Sequence, residues 1–249
     1  MRYADAVTHS TVGEMGLRYL PKLKISDHNN SIHAFKLGGK LDRRDTEMTT
    51  QALPVLFAED IILATNLKYW TVEEYHHMSE SGILDCCEQT ELISGKIILK
   101  SAKTAFHVIA LRLLASFLEK FLDKSVFVRT QDPISLDDFS EPEPDLAIVK
   151  GTMFDYAKRH PSPSDVYLVV EIADSTLKKD CEVKDKLYAR SNIADYWVID
   201  VKNRQVHIFR TPTSTGYASH LILQESQTIS PSAFPSIVIP ISSILPPVA

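Results

Sequence analysis

Two short apolar runs, each with one acid at its edge, constrain this chain more than any other feature. Leu146-Ala147-Ile148-Val149 follows Pro144-Asp145, and Val166-Tyr167-Leu168-Val169-Val170 leads into Glu171. Both runs read as buried strands, separated by a loop over 151–165 that holds Pro161 and Pro163. A charge at the edge of an apolar strand is costly to desolvate unless it has a partner. Two carboxylates on adjacent strands can share one partner, a hard divalent cation such as Mg2+. Pro144-Asp145 also has a structural reading, because Pro presets the backbone and Asp is common at turns. Glu171 is harder to explain that way, since Ile172-Ala173 continues the apolar run beyond it.

The 249 residues are 44% hydrophobic and 24% charged, which suits a globular chain with a real core, as one large domain or two small ones. The net charge of -5 argues against an evenly basic nucleic-acid-binding surface. An acidic metal site and an acidic back face can still mask a local basic groove. Cys86, Cys87 and Cys181 form no CxxC, so neither a disulfide framework nor a zinc cage is expected. Free thiols fit the cytoplasm. No basic-then-apolar secretory signal is visible. The early apolar stretch Leu53 to Ala64 is split by Glu59-Asp60 and is too short to span a bilayer, so no membrane association is expected.

Residues 1–66 show no sustained period and read as a loosely ordered extension, with Met48 as an alternative start; residues 67–249 read as the folded domain. Gly38-Gly39-Lys40 is a turn rather than a phosphate loop, because it lacks the upstream glycine and a following Ser or Thr. Thr71 with Glu74 forms a capping box that opens a helix to about Ser81. Glu91 to Leu99 alternates and turns at Ser94-Gly95, so it reads as a strand or a hairpin. Thr104 to Leu122 is an amphipathic helix with Phe106, Ile109, Ala110, Leu113, Leu114, Phe117 and Leu118 on its stripe. Val126 to Leu136 reads as a strand, with Pro133 marking an edge or bulge, and Asp180 to Arg190 as a charged helix. Tyr196 to Val201 pairs with Gln205 to Arg210 around Lys202-Asn203; Tyr217 to Gln224 and Ile237 to Ile239 supply further strands. Helices and strands mix along the chain, so the expected fold is α/β, mixed α+β, with a central sheet flanked by helices.

Asp180 and Lys184 lie four apart on one helix face. They read either as a surface ion pair or as a lysine placed over a metal site. Lys178, Lys179, Lys186 and Arg190 read as a solvated face or as a phosphate-binding one. His107, beside the apolar stripe, reads as a core or cap residue or as a catalyst, and His76-His77 as surface residues.

The ordered set Glu91-Leu92-Ile93-Ser94-Gly95-Lys96-Ile97, His107, Gln131-Asp132-Pro133-Ile134, Glu143-Pro144-Asp145-Leu146, Val170-Glu171-Ile172, Asp180 with Lys184, Lys186-Leu187-Tyr188-Ala189 and Asp195-Tyr196-Trp197-Val198-Ile199-Asp200 resembles the Uma-type putative restriction endonuclease family. That family belongs to the PD-(D/E)XK nuclease superfamily. The resemblance covers about residues 68–246. It implies a restriction-endonuclease-like core with extra C-terminal antiparallel strands and a divalent metal, Mg2+ or Mn2+, at its edge. It implies Asp145 and Glu171 as metal ligands, with Glu91, His107 and Lys184 completing the catalytic set. The lysine usual two residues after the glutamate is Ala173 here, and Lys184 matches the lysine that replaces it.

The expected activity is metal-dependent endonucleolytic hydrolysis of DNA. The alternatives are an inactive nuclease-fold module that binds nucleic acid or protein, and a hydrolase of another phosphoester. Pairing of the late strands across two copies makes a homodimer an expectation.

Overall fold

The computed structural model describes residues 67–84 and 89–247, all within one compact unit, Phe57–Ala249. The expectations for residues 1–66, including Met48 and the Leu53–Ala64 stretch, and for Cys86 and Cys87 lie outside the described residues.

Helix α1 spans Val72–Glu80 and starts as its sequence dictates: the Thr71 hydroxyl accepts the Glu74 N–H, and the Glu74 carboxylate accepts the Thr71 N–H. Its entry is pinned by the Val72 N–H donating to Asp138 O at 2.8 Å. Of the two readings, strand or hairpin, the structure takes the hairpin, with strands β1 (Thr90–Ile93) and β2 (Lys96–Leu99) antiparallel. Gly95 turns it at φ 74°, where a Cβ would sit 2.7 Å from the Tyr69 Cβ, so only glycine suits both the backbone angle and the space.

Helix α2 spans Ala105–Phe121 and begins at Thr104, whose hydroxyl accepts the His107 N–H. Its core face is Ala110, Leu111, Leu114, Ala115 and Leu118, while Phe106, Ile109 and Leu113 are exposed. The expected stripe is therefore rotated. Much of the helix circumference is apolar, so periodicity leaves the buried arc open and the sheet selects it.

The main sheet has six strands in the order β3-β4-β5-β6-β7-β8. These are β3 (Val126–Thr130), β4 (Leu146–Lys150), β5 (Val166–Ala173), β6 (Asp195–Asp200), β7 (Gln205–Thr213) and β8 (Gly216–Gln224). Strand β3 stops at Thr130, short of the expected Leu136, because Gln131 turns the chain at φ 59°. All neighbours are antiparallel except β5 and β6, which are parallel. A parallel pair needs a crossover. Here it contains a short turn α3 (Leu177–Lys179), a π-helical turn (Asp180–Lys184) and helix α4 (Asp185–Arg190). Two short strands follow, β9 (Thr228–Ile229) and β10 (Ile239–Pro240), the latter displaced from the expected Ile237–Ile239.

Alternation along the strands divides the core in two. Leu146, Ile148, Leu168, Val170 and Ile172 pack on α2, whereas Ala147, Val149, Val169, Ala173 and Val198 pack on α4 and Ile93. Asp145 keeps step with Ala147, and Glu171 with Val169 and Ala173, so both acids belong to the α4 side of the sheet.

Candidate active site

Strands β4 and β5 run antiparallel with Leu146 opposite Val170, which brings the start of one beside the end of the other. Asp145 and Glu171 thereby meet at one end of the sheet. The Asp145 Oδ2 accepts the Ile172 N–H at 2.8 Å, a bond that fixes the carboxylate to the neighbouring strand. Its Oδ1 lies 3.3 Å from Gln131 Nε2 and 3.0 Å from His107 Nε2. That His107 nitrogen is buried and has no aligned hydrogen bond.

Glu171 is buried, and its Oε1 accepts from Lys184 Nζ at 2.8 Å and from Tyr188 OH at 2.9 Å. No donor among the described residues is placed on its Oε2. Lys184 also stands 3.1 Å from Glu91 Oε2, and Lys179 donates to Glu91 Oε1 at 2.9 Å. Glu91 reaches this point from β1, which is bridged to Glu141 through Leu92.

The structure thus brings Glu91, His107, Asp145, Glu171 and Lys184 together. The surface ion pair between Asp180 and Lys184 does not form: both residues are buried, Lys184 turns to Glu171 and Glu91, and Asp180 accepts from the Thr176 hydroxyl at 2.6 Å. The π turn, closed by the Asp185 N–H onto Asp180 O five residues back, sets this arrangement. Lys179, expected on a solvated or a phosphate-binding face, lines the cleft and pairs with Glu91. Gln131 and Tyr188 appeared only as letters in the family pattern, yet both contact the acids. Gln131 has one local mark, its left-handed backbone, which a sequence does not reveal.

Electrostatics follow from burial. Burial pushes the Glu171 carboxyl up to about 8; Lys184 opposes the shift, and Asp145, Asp180 and Glu91 reinforce it. Asp145 is also buried, but the His107 ring and the Ile172 N–H outweigh that cost and hold it below its ordinary value. For Glu91, Lys184 and Lys179 likewise overcome burial and lower it. Lys184 is buried too, yet Glu171, Glu91 and Asp180 keep its ammonium well above the usual range.

Four buried carboxylates, Glu91, Asp145, Glu171 and Asp180, therefore face two ammonium groups, Lys179 and Lys184. With all acids ionised, two negative charges remain uncompensated, the charge of one divalent cation. Mg2+ is held by one or two carboxylates plus waters and substrate phosphate rather than by a full protein cage. Asp145, together with the Glu171 Oε2 that no donor among the described residues reaches, supplies the one or two carboxylates that requirement names. The same cleft is lined by Lys100, Lys103 and Lys179.

A mixed sheet flanked by helices, with two acids at one end of adjacent strands and a buried lysine between them and a third, defines a nuclease-like class. Comparison with known proteins places the chain within it. The family described as "Putative restriction endonuclease", Uma2, matches residues 72–242, and the chain belongs to that family. Among solved structures, the chain is similar to one described as a putative nuclease belonging to DUF820 from Anabaena variabilis. The two share 15% identity and a TM-score of 0.54 over 70% of this chain and 96% of that one, a likeness of fold. No curated protein matches the sequence. Among the described residues, no helix is long and apolar enough to cross a membrane.

Proposed function

We propose that this protein is a Mg2+-dependent endodeoxyribonuclease, with Mn2+ as an alternative ion, and that residues 67–249 form its nuclease domain. The observation that carries this reading is the excess of buried carboxylate over ammonium charge where Glu91, Asp145, Glu171 and Lys184 meet. Asp145 and Glu171 are the ligands for the ion. When bound, such an ion lowers the pKa of a water and polarises a phosphate for in-line attack. Asp145 is held ionised and fixed to β5 through the Ile172 N–H, so its oxygen is pre-positioned. Lys184 stabilises developing negative charge on the phosphate, while Glu91 and Tyr188 hold Lys184 and Glu171 in place. His107 orients Asp145. Lys100 and Lys103 on the cleft wall offer charge to a phosphate backbone.

Duplex DNA incubated with Mg2+ tests the reading. Asp145→Ala and Glu171→Ala abolish cleavage, and Lys184→Ala reduces it about 10²–10³-fold. Equal cleavage by wild type and Asp145→Ala, or undiminished cleavage in EDTA, would end it. Single-stranded DNA, RNA and small phosphoesters run in parallel define the substrate.

A second reading is favoured by Ala173, buried two residues beyond Glu171 where the superfamily lysine usually stands. In that reading the cleft binds nucleic acid or protein without chemistry. Mg2+ titration separates the two, since a folded protein that binds no Mg2+ or Mn2+ supports the inactive module. Strand β8, at one edge of the sheet with Leu221 and Ile222 exposed, is the pairing edge of a homodimer that would set two sites for two DNA strands. The free Cys181 thiol suits a cytoplasmic setting.

A further inference from the structure

Outside the residues that line the cleft, three side chains from separate parts of the fold converge. His76 comes from α1, Glu141 from the segment bridged to β1, and His160 from the loop before β5. One ligand atom from each lies within 4.8 Å of the other two, which no other set of three His, Cys, Asp or Glu achieves among the described residues. His76 Nε2 and Glu141 Oε1 are 2.6 Å apart, and the two imidazole rings meet edge to face with centroids 6.3 Å apart.

The backbone holds all three in advance. The Val72 N–H bonds to Asp138 O at 2.8 Å, the Glu141 N–H to Leu92 O at 2.8 Å, and the Ser135 N–H to Pro161 O at 2.9 Å. These bonds tie the start of α1, the Glu141 segment and the chain beside His160 to one small framework. Glu141 is 4% exposed, yet the only partner of its carboxylate among the described residues is the ring of His76, which is 45% exposed. A buried carboxylate with a single, half-solvated partner is poorly compensated and calls for further positive charge.

We propose that His76, Glu141 and His160 bind a borderline transition-metal ion, with Zn2+ as its representative, and leave a fourth position open to solvent beside His76. Two imidazoles and one carboxylate match the donor set of open zinc sites. They do not match Mg2+, which selects oxygen. Four-coordinate zinc places its ligand atoms about 3.3 Å apart. The 2.6 Å contact opens and the longer separations close by side-chain rotation on fixed backbones. The protein thus sorts cations by hardness, with oxygen donors in the cleft and nitrogen donors here. This site does not depend on the nuclease reading.

The full-length protein, stripped with EDTA, is titrated with Zn2+ against a chromophoric chelator, and its thermal midpoint is followed with and without Zn2+. The expected result is one Zn2+ per chain and a raised midpoint. His160→Ala and His76→Ala each weaken that binding at least tenfold and remove the rise. Asp145→Ala retains both, which separates this site from the cleft. His220→Ala also retains both, which excludes the separate His207–His220 pair on β7 and β8, whose ring nitrogens lie 3.1 Å apart. Co2+ gives a second readout: visible absorption typical of four-coordination in wild type, lost in His160→Gln. Equal Zn2+ affinity in wild type and His160→Ala, or loss of binding in His220→Ala instead, overturns the proposal. An unchanged Co2+ spectrum in His160→Gln does the same.

Discussion

At Glu171, burial and three neighbouring carboxylates act against one ammonium group, and the carboxyl keeps its proton to about pH 8 rather than the ordinary 4.5. The sign of the consequence is fixed by linkage. Between those two values the folded chain holds a proton that the unfolded chain has released, so this residue makes the metal-free protein less stable as pH rises. Glu171→Gln removes the titration while keeping an oxygen for Lys184 and Tyr188. Its stabilising effect over wild type, in EDTA, grows between pH 5.5 and 7.5 by up to about 1.4 kcal/mol per pH unit; urea melts at the two values measure it. A difference that stays constant with pH would contradict the account. Mg2+ must displace the same proton, so its binding tightens from pH 6 to 8, and calorimetry in buffers of different ionisation enthalpy detects proton release. Asp145 and Glu171 are legible in the sequence because each carries a charge against an apolar run, Asp145 before one and Glu171 within one. Spacing and helix position offer Lys184 and His107 only as one of two readings each, and Glu91 gains a role only through the family resemblance. Lys179 and His76 were read as surface groups: a charged side chain on a short polar helix carries no mark of the distant acid it will meet.

The helices divide in the same way. Helix α1 was readable to the residue at its start, because a capping box is a local pattern with a local cause. Thr71→Ala is expected to cost about 1 kcal/mol, measured by chemical denaturation. Helix α2 was readable in extent but not in orientation. Leu114 is fully buried, whereas its neighbour Leu113 is 38% exposed. Leu114→Ala should therefore cost about 2–5 kcal/mol, and Leu113→Ala within about 1 kcal/mol. Similar losses at the two positions would restore the stripe suggested by periodicity. The π turn at Asp180–Lys184 had no sequence signal, since the same letters suit an ordinary α-helix; tertiary bonds to Glu171 and Glu91 hold the wider turn.

The strand content and the mixed character of the sheet followed from alternation, apolar runs and turn residues, and the strand order came with the structure. The family match spans residues 72–242, and the proposal that residues 67–249 form the nuclease domain is testable by truncation. A chain beginning at residue 67 is expected to unfold in one cooperative transition and to cleave duplex DNA at the full-length rate; loss of either property would extend the domain into the first 66 residues. Because β5 and β6 run the same way, the chain must travel back along the sheet between them, and Lys184 rides on that return path. Its position is thus set by the length of a connector rather than by any strand. Lengthening or shortening residues 174–194 by one would leave every strand pairing intact and still misplace the ammonium, so within this architecture small indels there are a route by which relatives can lose or retune chemistry while remaining well folded.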